Sequence, residues 1–228
     1  PSLACAIVRS LAHERRFEVP NTVRKTVYGG SVFLKTDTAK SSLEYRFPLP
    51  GGTPHNLVVH HFDKFGVVVF KSPTFFLSFR CGPIGQYGRG GHDHDDQLSI
   101  ELEFIKEGKI LAPVCDPGTY LYTANAADRN RYRAITAHFA PQFEDDATAD
   151  LEAGLFYLRG VSPGELILLE TSDAAARAVG RVKRGRNTVW REITITATDV
   201  IIKDSSDGTE LKDLRRITPP TFSPGYGE

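Results

Sequence analysis

The residues with the most chemistry in them lie between Gly88 and His138, above all in Gly91-His92-Asp93-His94-Asp95-Asp96. Two histidines two apart project the same way from an extended backbone, because strand side chains alternate faces with period two. Both imidazoles then address one spot. Asp116, in Cys115-Asp116-Pro117-Gly118, follows His94 by twenty-two residues, and His138 follows Asp116 by the same interval, which suits returning segments of a sheet. Two His and one Asp form a zinc set with one coordination position left open.

The elements that must position these residues read as strands. Leu98, Ile100, Leu102 and Phe104 alternate with Ser99, Glu101 and Glu103, the pattern of a strand with one face in a core and the other wet. Glu107-Gly108-Lys109 turns it back into Ile110 to Cys115, and a regular register would return Asp116 toward His94. Runs rich in Val, Phe, Thr and Tyr at 28–35, 43–47, 56–62, 66–71 and 74–80 read as strands, as do 156–158, 166–171, 189–196 and 199–203. Gly29-Gly30, Pro48 to Gly52, Asp63-Lys64 and Ser72-Pro73 punctuate the earlier runs. Arg181, Lys183, Arg184 and Arg186 around Gly185 read as an exposed hairpin tip, and Asp145 to Glu152 as a solvated loop or a helical turn. At the front, Leu3, Ile7, Val8 and Leu11 fall at helical spacing: either the end of an upstream helical domain or a helix on the sheet edge. The tail from Thr218 reads as irregular. Some dozen short strands with little helix predict an all-β chain: a two-layer antiparallel β-sandwich with a short N-terminal helix.

Composition narrows the partners. The 28 basic and 28 acidic residues balance, so no global field draws the chain to nucleic acid or to an anionic membrane. No apolar run is long enough to span a bilayer and no signal peptide is visible, while Pro1 in place of an initiating Met leaves room for an upstream segment. Three cysteines at unrelated spacings make no disulfide framework, and Cys115, ending an apolar run, is expected to be a small buried hydrophobe.

The run from Gly91 to Ser99, then Asp116-Pro117-Gly118-Thr119-Tyr120, Tyr132-Arg133 and Ala137-His138, resembles the C-terminal β-domain of the heparinase II/III-like polysaccharide lyases, over roughly residues 66–138. The resemblance implies a β-sandwich over 21–228, with 1–20 a remnant of, or linker from, an upstream helical toroid. It implies β-elimination next to a uronic acid in an acidic polysaccharide, in the periplasm or outside the cell. Carried over by position, His92 is the catalytic residue at the cleft, and His94, Asp116 and His138 hold zinc.

Asp96 matches the acidic position that would orient an imidazole, and Tyr120 and Arg133 are the substrate-binding candidates, by stacking and anion contact. Asp93 and Asp95 stand where the family usually has small residues, and Phe139 where it often has Asn. The family's other catalytic residues belong to the toroid, so this chain alone is expected to be weakly active or inactive. Two other classes fit some of the residues. One is a non-catalytic carbohydrate-binding sandwich with structural zinc; the other is a cupin-like metalloenzyme, for which the gap from His94 to Glu101 is too long.

Overall fold

The computed structural model describes residues 39–50, 56–85, 93–115, 126–144, 149–154, 157–172 and 175–214. The expected N-terminal helix, the strand at 28–35 and the tail from Thr218 lie outside these residues, as does the division at residue 20.

Ten strands are described, in chain order β1 (Ser41–Pro48), β2 (Val58–Phe62), β3 (Val67–Ser72), β4 (Phe75–Arg80), β5 (Ile100–Lys106), β6 (Lys109–Val114), β7 (Glu165–Thr171), β8 (Ala176–Arg184), β9 (Asn187–Ile195) and β10 (Asp199–Ser206). They form two five-stranded sheets, ordered β1-β10-β9-β8-β7 and β2-β3-β4-β5-β6, with antiparallel pairing throughout. The all-β sandwich read from the sequence is the fold.

Register explains the core. Across the second sheet Phe70, Leu77 and Leu102 stand opposite one another, as do Val68, Phe79 and Ile100. Across the first sheet the row is Ala178, Ile193, Ile202 and Tyr45. Both rows belong to one buried cluster between the sheets, where each fully buried aliphatic side chain contributes about 1.5–3 kcal/mol.

Five expectations need correcting. The second face of β5 is not wet: Ser99, Glu101 and Glu103 are buried. Alternation tells which residues share a face, not whether that face is covered, and beside them Val67, Val69 and Phe76 form a second buried cluster. The β5–β6 hairpin does turn at Glu107-Gly108, both with positive φ. Its register then shifts, so that Leu111 faces Phe104 but Val114 faces Leu102.

The basic cluster is also not all tip. Gly185 and Arg186 make the turn between Arg184 and Asn187, but Arg184 is buried, and the strand leading to it was hidden by alanines and charges. Cys115 is exposed, because β6 is an edge strand and most of it faces solvent. Tyr157 and Leu158 are not in a strand; Arg159 beside them makes only an isolated bridge to Asp150.

Candidate functional site

His94 sits in the irregular stretch 93–99 that leads into β5, rather than on a strand. His138 arrives by a different route. A helix, α1 (Ala126–Arg133), carries Asp128 in its first turn and Arg131 and Arg133 in its last, the charge order its dipole favours. A single 3-10 turn over Ile135–Ala137 follows, and the His138 amide donates to the Ile135 carbonyl at 3.0 Å. Gln142 fixes the turn by donating its side-chain amide to the carbonyls of Ile135 and His138, at 2.8 and 2.9 Å.

The two segments meet: the Asp95 amide donates to the Arg133 carbonyl at 2.9 Å, and the His94 and His138 rings lie 5.2 Å apart between centroids. Both histidines are buried.

Burial, then the neighbouring His138, Arg133 and Arg129, push the His94 pKa well below its ordinary 6.5. The imidazole is therefore neutral near pH 7, which is the form that binds metal. Its Nδ1 is buried and receives no hydrogen bond from a described residue. An orphaned ring nitrogen in a dry site costs free energy unless something fills it, and a metal ion suits a neutral imidazole. In that respect the residues fit zinc. Among the described residues no group of three His, Cys, Asp or Glu side chains could hold a metal ion; Asp116, the third expected ligand, lies outside them. So do His92 and Tyr120.

The remaining expected site residues have defined neighbours. Asp96 pairs with Arg80, its Oδ1 3.6 Å from Nε. Asp95 pairs with Arg184 at 3.6 Å, and an Asp93 carboxylate oxygen accepts from the Gly85 amide. The extra carboxylates of this motif thus have partners of their own. Arg133 donates Nε to the Asp93 carbonyl at 3.3 Å and Nη2 to the Tyr157 carbonyl at 2.7 Å. It is buried, and burial, then Arg129, lowers its pKa to about 10. Arg133 therefore ties three segments together, and its Nη1 is buried with no hydrogen-bond partner among the described residues.

The residues missed by the sequence reading are those that hold this loop. Gln97 Oε1 accepts from the amides of Gly82 and Gly164 at 3.3 and 2.9 Å. Arg80 donates to the carbonyls of Phe65, Gly66 and Pro83. Arg191 donates to the carbonyls of Leu98 and Phe139 and is paired with Asp204. Its signal was present: alternation over Val189, Arg191, Ile193 and Ile195 points an arginine into the core.

Residues 54–210, well over half of the chain, match the family described as heparinase II/III-like, C-terminal. A comparison with curated proteins found no match.

Proposed function

From the premise that the chain belongs to the heparinase II/III-like family through that C-terminal domain, we propose that it is the β-sandwich part of a lyase that cleaves an acidic polysaccharide by β-elimination. The family supports a polysaccharide lyase; the assignments to particular residues are our reading. In the reaction a base takes the proton from C5 of the uronic acid, the C4–O bond breaks as the C4–C5 double bond forms, and an acid gives a proton to the departing oxygen. His92 is the group this chain brings to the cleft, suited to proton transfer near neutral pH, with Tyr120 and Arg133 toward the sugar. The partner residues come from an upstream helical toroid, and the substrate places the protein in the periplasm or outside the cell.

Zinc is proposed on His94, Asp116 and His138, where it would close the loops of the domain structurally. The observation that carries this reading is the convergence of two buried histidines from segments forty-four residues apart in sequence, one of them neutral with an orphaned nitrogen. Asp96 then acts through Arg80, orienting the loop that presents His94. The same metal site would serve a non-catalytic carbohydrate-binding sandwich, and activity separates the two. The test is ultraviolet absorbance of unsaturated uronate, using uronic-acid polysaccharides and a longer chain that carries the helical domain. We expect absorbance to rise and His92→Ala to abolish it. Binding of the polysaccharides without any rise would overturn the lyase reading in favour of the binding module.

A further inference from the structure

Arg191 lies on β9 at a position whose alternation turns it inward, opposite Gly180 of β8 and Asp204 of β10. Its guanidinium spends its donors in two directions. Nε and Nη2 grip the two Asp204 carboxylate oxygens, each at 2.7 Å. Nη1 donates to the carbonyl of Leu98, just before β5, at 2.8 Å and to that of Phe139, which lies outside both sheets. Leu98 lies near the end of the irregular stretch 93–99 that carries His94, and Phe139 directly follows His138. One nitrogen thus holds the backbone of both histidine-bearing segments.

The rest of the contact is built for the same end. The Phe139 ring lies under the guanidinium, 5.1 Å from its carbon, and packs edge-on against Tyr45. Leu98 has φ of +67°, a left-handed conformation that a branched residue keeps only when its surroundings hold it. Its amide donates to the Arg80 carbonyl at 2.7 Å, and its carbonyl is the one Arg191 takes. A planar guanidinium with a fixed fork of donors can serve a carboxylate on one edge and two carbonyls on the other; a lysine ammonium cannot reproduce that geometry.

We propose that Arg191, oriented by Asp204, is a positioning residue that sets the spacing of the His94 and His138 imidazoles by fastening both segments to the single strand β9. What that spacing is for rests on the metal-site reading above, whereas the fastening is a property of the chain alone. The experiment therefore reads the two separately.

Histidine ring signals are recorded by NMR on metal-free protein labelled in histidine, with His94 and His138 assigned from single variants, for wild type, R191K and R191M/D204L. The double variant removes both buried charges together and so leaves neither unpaired. Zinc affinity is then measured on the same three proteins by competition with a chromophoric chelator. The ring signals of His94 and His138 are expected to shift or broaden in R191M/D204L, while those of His60 and His61, on the far edge strand β2, stay in place. Zinc affinity is expected to fall by about 10–100-fold, with R191K between it and wild type.

Unmoved His94 and His138 signals in folded R191M/D204L overturn the proposal. Where the double variant does not fold, R191K decides it by the same two signals. A wild type that takes up no zinc removes the metal reading, and the ring signals still decide the positioning role.

Discussion

Two arginine–carboxylate pairs on neighbouring strands of one sheet show how differently the same contact works in two settings. Arg191 and Asp204 are 2.7 Å apart with side chains 0% and 1% exposed. Arg181 and Glu165 are 2.8 Å apart with side chains 47% and 60% exposed. Distance does not separate them. Water screens the outer pair and competes for its hydrogen bonds, so it holds little. The inner pair has lost its water and must be satisfied by protein, which makes it a fixed point from which other backbone can hang. At the histidine end of the sandwich Arg80 and Arg184 follow the inner pattern, buried beside Asp96 and Asp95.

Removing one partner of the inner pair should have the largest effect. Arg191→Met or Asp204→Asn alone is expected to lower unfolding stability by about 3–5 kcal/mol in urea titrations, because a buried charge is stranded. A loss below about 1 kcal/mol would show that the two pairs are alike after all. Next comes the space beside the clamp. A Cβ at Gly180 would lie 2.6 Å from Cys81 Sγ and 2.8 Å from Leu98 Cδ2, so Gly180→Ala should cost about 1–3 kcal/mol in the same titration. The outer pair should matter least among the charges: Arg181→Ala is expected to cost less than about 1 kcal/mol, and 1 M salt should erase the difference.

The smallest effect carries the burial rule to uncharged groups. Burial, with Lys71 nearby, lowers the pKa of His60, and burial lowers that of His61 against the opposing pull of Asp63. The unfolded chain then binds more protons than the folded one below about pH 6.5, so stability falls as the pH drops through that value. Replacing both with Asn should reduce that slope in thermal melts taken between pH 7 and 5, the share due to His94 remaining.

Much of this was legible in the sequence. The strands with alternating or continuous Val, Ile and Phe were found because a buried face demands apolar side chains at fixed period, and His94 and His138 were paired from ligand type and motif. Ala176–Arg184 was missed because its inward residues include two alanines, a glycine and an arginine, giving no apolar stripe. The helix Ala126–Arg133 has no apolar face either, since the side chains it buries are Arg129 and Arg133. Alternation points Arg191 inward, but what it holds there is a feature of tertiary structure, set only by the carbonyls and carboxylates of distant segments. The buried state of Glu101 and Glu103 likewise depends on what covers the sheet, about which the period is silent.

The zinc site we propose on His94, Asp116 and His138 is probed by elemental analysis of the purified chain beside His94→Ala and His138→Ala variants, with circular dichroism to verify folding. One zinc per chain in the wild type, lost in both variants, is the predicted result. A folded wild type that stays free of zinc when zinc is supplied would contradict it.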